Sequence, residues 1–256
     1  MSSVVDREQA YYDAYYATEG PVHFGKPAVV AFREYLVGRI VAATGAGPET
    51  RVLSIGCGIG DTELLLARHV AHVTGVDLSP KAIAHAQSSA ASRGVLNTEF
   101  LASPWESARF SNAPFDLMVA VFFLHHLSDD ELSAFPGRLL PLLKGGGKFY
   151  ALEPSIHRLS GRVGKLLIPR LMKKYQTDDE RQLQRHRTAG YFKAAGFDVV
   201  SQWFDFVSTP LAGLFPAWKT GYHMARALDG PLTRCPGLRG LSSNFDLVAV
   251  HPVKEP

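Results

Sequence analysis

Short apolar runs alternate with longer stretches of mixed polarity through the middle of the chain. The runs near 51–56, 72–77, 97–101, 115–123 and 146–152 are rich in Val, Leu, Phe and Ala. Strands covered on both faces read this way, and their alternation with helical segments predicts a parallel sheet. Two further runs, 197–206 and 245–250, read as strands that pair as a hairpin and close the sheet. Residues 6–17 read as a helix on which Tyr11, Tyr12, Tyr15 and Tyr16 share one face. Gly20-Pro21 breaks it, and 27–43 reads as a second helix with Val30, Phe32, Tyr35, Leu36 and Ile40 as its apolar positions. Helix starts are marked by Ser79-Pro80, an N-cap followed by proline, and by the capping box Ser128-Asp129-Asp130-Glu131. The triplet Gly145-Gly146-Gly147 reads as the stop of the helix that Ser128 opens. A second box, Thr177-Asp178-Asp179-Glu180, opens a helix expected to run to about Ala195 and stop at Gly196.

Chemistry concentrates at the ends of the first strands. Arg51-Val52-Leu53-Ser54-Ile55-Gly56-Cys57-Gly58-Ile59-Gly60-Asp61 reads as strand, glycine loop and first helical turn, and the next strand ends at Asp77. Glycines let backbone approach a ligand, and an acid at the second strand's end accepts hydrogen bonds from ribose hydroxyls. A dinucleotide fingerprint is G-x-G-x-x-G. Here the spacing is G-x-G-x-G and the final place holds Asp61. A negative charge at the helix start repels a pyrophosphate. A cofactor with a ribose, a positive charge and no phosphate fits better, and S-adenosylmethionine (SAM) has these properties.

The segments VLSIGCGIG, VTGVDLSP, FDLMVAVFFLHHL and LLKGGGKFYALEP, in this order, resemble the motifs of the class I SAM-dependent methyltransferases. The resemblance covers roughly 51–153. It implies an α/β, Rossmann-like fold: a seven-stranded, mostly parallel sheet with one antiparallel strand, a helical N-terminal lid, and an insertion before the sixth strand. It implies one domain over 1–256, with a lid at 1–45, a SAM-binding core at 50–154, a substrate cap carrying strand 6 at 155–225, and the final strand at 243–251. The residues it assigns to the cofactor are Gly56, Gly58 and Gly60 under it, Asp77 on the ribose, and Leu78, Ala102, Ser103 and Trp105 around the adenine. Val121 at the fourth strand's end, and Tyr12 and Tyr16 from a closing lid, complete the set. Trp105 reads equally as core, and the tyrosine helix reads also as an ordinary amphipathic helix. His125 and His126 follow the fourth strand, beside the expected methyl group, where a histidine can serve as base; the alternative is that they only brace the loop. Two places depart from the family pattern. Ser54 stands where an acid is usual, and Leu101-Ala102-Ser103-Pro104-Trp105 lacks the acid often found near the adenine.

Composition narrows the acceptor. The chain has 256 residues, 46% apolar, with a net charge of +3, too mild a basic balance for a nucleic-acid surface. Cys57 and Cys235 are the two cysteines; they form no disulfide framework or metal site, and a reducing, cytoplasmic setting is expected. The start reads as no signal peptide, and no apolar run reaches the ~18 residues of a membrane span. Residues 155–176 hold no acid but carry Arg158, Arg162, Lys165, Arg170, Lys173 and Lys174 between apolar positions. They read as a solvated helix face, a cap over the substrate, or a peripheral membrane contact. Ile168, Leu171, Leu211, Leu214, Phe215, Trp218 and Tyr222, placed in the insertion between strands five and six, point to an apolar or aromatic small-molecule acceptor. The alternatives are an RNA or protein methyltransferase, against which the FFLHH sequence after the fourth strand argues, and a SAM-binding regulatory subunit without turnover.

Overall fold

The computed structural model describes residues 4–161 and 181–253. Three helices open the chain: α1 (Val4–Ala17), α2 (Glu19–Phe24) and α3 (Pro27–Thr44). β1 (Arg51–Ile55), α4 (Asp61–Leu66), β2 (His72–Asp77), α5 (Pro80–Ser92), β3 (Thr98–Ala102) and β4 (Phe115–Val121) follow in alternation. α6 (Asp129–Leu139), β5 (Leu143–Pro154), α7 (Arg185–Ala194), β6 (Asp198–Asp205), α8 (Ser208–Leu214), α9 (Lys219–Arg234) and β7 (Asn244–Val250) complete the order. The seven strands form one sheet in the order β3-β2-β1-β4-β5-β7-β6. β7 runs antiparallel to both neighbours, with Lys148 opposite Val250 on one side and Asp198 opposite Val250 on the other.

Side-chain alternation along the strands builds two cores. Val52, Leu117, Val119, Tyr150 and Leu152 pack with Phe32, Leu36 and Ile40 of α3. Leu53, Ile55, Met118, Phe149 and Ala151 face the other way, onto Phe135 of α6 and Phe192 of α7. Both sheet faces are therefore covered, which is why the strands carry almost unbroken apolar runs. On the α3 side, α9 is fastened by Arg226, whose guanidinium lies 4.0 Å from the Tyr35 ring centre and pairs with buried Asp229. Asp229 in turn accepts hydrogen bonds from the backbone N–H groups of Phe206 and Val207, at the start of α8.

The helix starts at Ser79 and Ser128 carry the expected caps: Ser79 accepts from Ala82 N–H, and Ser128 and Glu131 form a complete capping box. Three expectations are corrected. Gly145-Gly146-Gly147 does not end a helix. α6 stops at Leu139, a 3₁₀ turn covers Leu140–Leu142, and the triplet lies inside β5. There the register against β4 shifts between Phe115 and Leu117, and the left-handed Gly146 (φ 78°) supplies the irregularity. Leu211, Leu214, Phe215, Trp218 and Tyr222 lie after β6, in the β6–β7 connection, not between strands five and six; β6 and β7 pair antiparallel but are joined by two helices rather than a hairpin turn. α7 begins only at Arg185, because Leu183 is held in extended backbone by its hydrogen bonds with Pro154 and Ile156. The Thr177–Glu180 box and most of the basic segment 155–176, with Ile168 and Leu171, lie outside the described residues.

Candidate active site

The strand order places β1 beside β4 while the chain winds away from them in opposite directions, and ligands of open α/β sheets bind in the crevice at such a point. A cavity of about 800 Å³ opens there, lined by Ile55 of β1, Val76 and Asp77 of β2, Val121 of β4 and the glycine loop. Gly58 has φ 53°, and a Cβ on it would stand 2.8 Å from the Tyr16 hydroxyl. The left-handed backbone favours glycine here, and any side chain would have to displace the Tyr16 hydroxyl. Asp77 is fixed from two sides: Oδ2 accepts from Gly58 N–H at 2.8 Å, and Oδ1 from Ser79 N–H at 2.9 Å. Burial raises the Asp77 carboxyl above its usual range, against those two hydrogen bonds. The Ser79 hydroxyl also donates to Asp13, so α1 is tied to the start of α5.

The aromatic wall comes from the N-terminal helices and the segment after β4. Tyr12 and Tyr16 stack with ring centres 5.8 Å apart, and both line the cavity with Phe24. Burial, then the charges of Asp77 and Asp61, raise the Tyr16 hydroxyl well above its ordinary range. Phe122 sits in the left-handed region at φ 55° and stacks on Phe32 of α3. A bulky residue held there marks backbone strain at the cavity wall.

The two histidines separate. His125 is buried (8% exposed) and its Nδ1 lies 2.8 Å from Glu153 Oε2. Glu153 Oε1 accepts from the N–H groups of Phe123 and Leu124, so one carboxylate at the end of β5 organises the whole turn. His125 is not among the cavity-lining residues; His126 is, with its Nε2 3.4 Å from the Tyr12 hydroxyl.

Of the other expected site residues, Tyr12, Tyr16, Gly56, Gly58, Asp77, Leu78, Ser103, Trp105 and Val121 all line the cavity. Gly60 and Ala102 do not. Gly60 caps α4 in left-handed backbone against Phe100, and Ala102 is the last residue of β3, paired with Asp77. Trp105 joins both readings: it lines the cavity and packs edge-on to Phe135 at 5.2 Å. Arg33, Glu63 and Arg181 were missed. Arg33 lies on the face of α3 that carries Val29 and Phe32, and its Nε is 2.7 Å from Asp61 Oδ2. The charge of Asp61 is thus shared with an arginine. A lone basic residue on an otherwise apolar helix face was the available signal.

The residues present fit a cofactor built from ribose, adenine and a cationic tail. Asp77 offers a fixed carboxylate to hydroxyls. The Trp105 indole N–H and the Glu63 Oε2 are buried without a hydrogen-bond partner among the described residues. These are the donors and acceptors that such a ligand can satisfy.

The fold is that of the class I SAM-dependent methyltransferases, a family whose cofactor is SAM. Residues 52–147, from β1 to the start of β5, match the methyltransferase domain family. Magnesium protoporphyrin IX methyltransferase from Synechocystis PCC 6803, solved with bound S-adenosylhomocysteine (SAH), superposes with a TM-score of 0.67 over 96% of this chain and 99% of that one, at 15% identity. The uncharacterized methyltransferase YcgJ of Bacillus subtilis is 30% identical over 117 residues, 46% of each chain. The ubiquinone biosynthesis O-methyltransferase of Xylella fastidiosa is 30% identical over 150 residues, 58% of this chain and 57% of that one. The chain thus spans about half the length of these curated relatives.

Proposed function

We propose that the protein transfers a methyl group from SAM to a small apolar or aromatic metabolite by in-line displacement, at oxygen, nitrogen or carbon. The observation that carries this reading is the continuous cavity of about 800 Å³ that runs from Asp77 and Gly58 to an aromatic wall of Tyr12, Tyr15, Phe24, Phe32 and Phe122. A site of this size takes cofactor and acceptor together. Bound SAM supplies an activated methyl on a sulfonium with its own leaving group. The protein's part is alignment and exclusion of water. Asp77 accepts from the ribose hydroxyls, Trp105 and Leu78 cover the adenine, and the tyrosine rings close the cationic end, where aromatic faces are favourable. His126 faces the acceptor side, where it would accept the proton of a hydroxyl. The likeness to enzymes named for ubiquinone and magnesium protoporphyrin favours an extended, apolar acceptor.

The test is turnover with SAM and a panel of hydroxylated aromatic, quinoid and tetrapyrrole acceptors, read as a mass gain of one methylene. Transfer to one or more panel members is expected. SAM binding with no transfer to any acceptor would favour a regulatory subunit, and absence of SAM binding would overturn the reading altogether. No helix among the described residues is long and apolar enough to cross a membrane. Membrane contact through 155–176 stays a proposal, tested by sedimentation with anionic vesicles.

A further inference from the structure

Where resembling chains carry an acid at the end of β1, this one carries Ser54, and the acid arrives from the neighbouring helix. Ser54 Oγ donates to Glu63 Oε1 at 2.6 Å. Glu63 is 3% exposed and lines the cavity, and its Oε2 has no hydrogen-bond partner among the described residues. A buried carboxylate oxygen without a donor is costly unless a ligand completes it. The groups that face Glu63 do not complete it. Arg33, on α3, is paired with Asp61; Asp61, on the same helix, adds a like charge; the Cys57 thiol on the loop is pushed well up by burial and stays neutral.

We infer that Glu63 holds the α-ammonium group of the cofactor's methionyl end, Ser54 fixing one carboxylate oxygen and the ammonium donating to the other. The inference rests on SAM binding as proposed above. The choice among the cofactor's cationic groups follows from chemistry. The sulfonium carries no N–H or O–H and cannot satisfy an orphan acceptor, whereas an ammonium presents three donors. Burial pushes the free Glu63 carboxyl up to about 7, against the Ser54 hydrogen bond. Ammonium binding requires the ionised form, so affinity must rise with pH as Glu63 deprotonates.

The experiment is a set of eight calorimetric titrations. Wild type and Glu63→Gln are each titrated with SAH and with its deaminated analogue, at about pH 6 and about pH 8, on either side of the carboxyl's titration. The substitution keeps the acceptor for Ser54. For wild type, SAH binding should be about tenfold tighter at the higher pH, and Glu63→Gln should bind SAH about 10–100-fold more weakly there with no pH dependence. The deaminated analogue should bind both proteins alike and without that pH dependence, which controls for Asp77 and every other group facing the cavity. Equal SAH affinity for the two proteins, or an equal loss for both ligands, overturns the inference. If Glu63→Gln fails to fold, the wild-type profiles decide alone, and parallel pH profiles for SAH and its deaminated analogue overturn it. Failure of wild type to bind either ligand sinks the cofactor reading instead.

Discussion

Glu153 Oε2 and His125 Nδ1 stand 2.8 Å apart, and the same carboxylate caps the N–H groups of Phe123 and Leu124. His125 therefore belongs to the wall of the site. Glu153→Ala orphans two backbone donors and a buried imidazole, and should cost about 3 kcal/mol or more of stability. His125→Asn should lower stability with turnover nearly intact. Urea melts beside initial rates separate these effects, and a collapse of kcat in stable His125→Asn would refute the bracing role.

His126 carries the catalytic hypothesis alone. It lines the cavity and reaches the Tyr12 hydroxyl. If the acceptor must lose a proton, His126→Gln should reduce turnover about 100-fold while SAH affinity stays nearly unchanged. Near-normal rates would leave alignment and desolvation as the means of catalysis.

Asp77 is held by Gly58 and Ser79 before any ligand arrives. Asp77→Ala should weaken SAH binding by about 1.5–3 kcal/mol, tenfold or more by calorimetry. Gly58→Val should also abolish binding, since a branched side chain at φ 53° meets the Tyr16 hydroxyl. Retained affinity in Asp77→Ala would remove the ribose assignment.

The tyrosine helix supplies a fourth expectation. Asp13 accepts from Ser79 next to Asp77, so closure of α1 and the occupancy of the ribose site share one edge. Hydrogen exchange across residues 9–17 should slow when SAH is added. Equal protection with and without SAH would mark α1 as a fixed core helix.

Stability should also depend on pH through Asp205. Burial, with the nearby Asp229 charge, pushes its carboxyl up to about 6, whereas an unfolded aspartate titrates near 3.9. The native state then holds more protons than the unfolded chain between about pH 4 and 6, so this group's contribution to stability falls as pH rises through that window. Asp205→Asn should remove a decline of about 2–3 kcal/mol across it. Denaturant melts of both proteins at the two ends of the window check this, and identical slopes would contradict it.

Local signals were legible in the sequence. β1, the loop Gly56 to Gly60, β2 and Asp77 follow one another within a short span, and each carries its own residue signature. The caps at Ser79 and Ser128 were legible for the same reason. What depends on distant partners was not. His125 and His126 are adjacent, and only Glu153, on another strand, decides which one turns inward. Glu63 looks like any acid in a first helical turn until Ser54 is seen beneath it. The glycine triplet at 145–147 has the composition of a helix stop, but the pull of β4 pairing extends β5 back through it.

β7 lies between β5 and β6, and among the described residues β6 pairs with no other strand. In chain order it is the last of the seven to emerge during synthesis. Until it does, β5 presents an open apolar edge and β6 has nowhere to dock. The sheet is therefore completed by insertion from the far end of the chain, not by growth at its margin. A chain cut short before Asn244 should not yield a smaller, weaker binder of the cofactor. It should yield a species with two exposed strand edges that seeks pairing with other copies of itself.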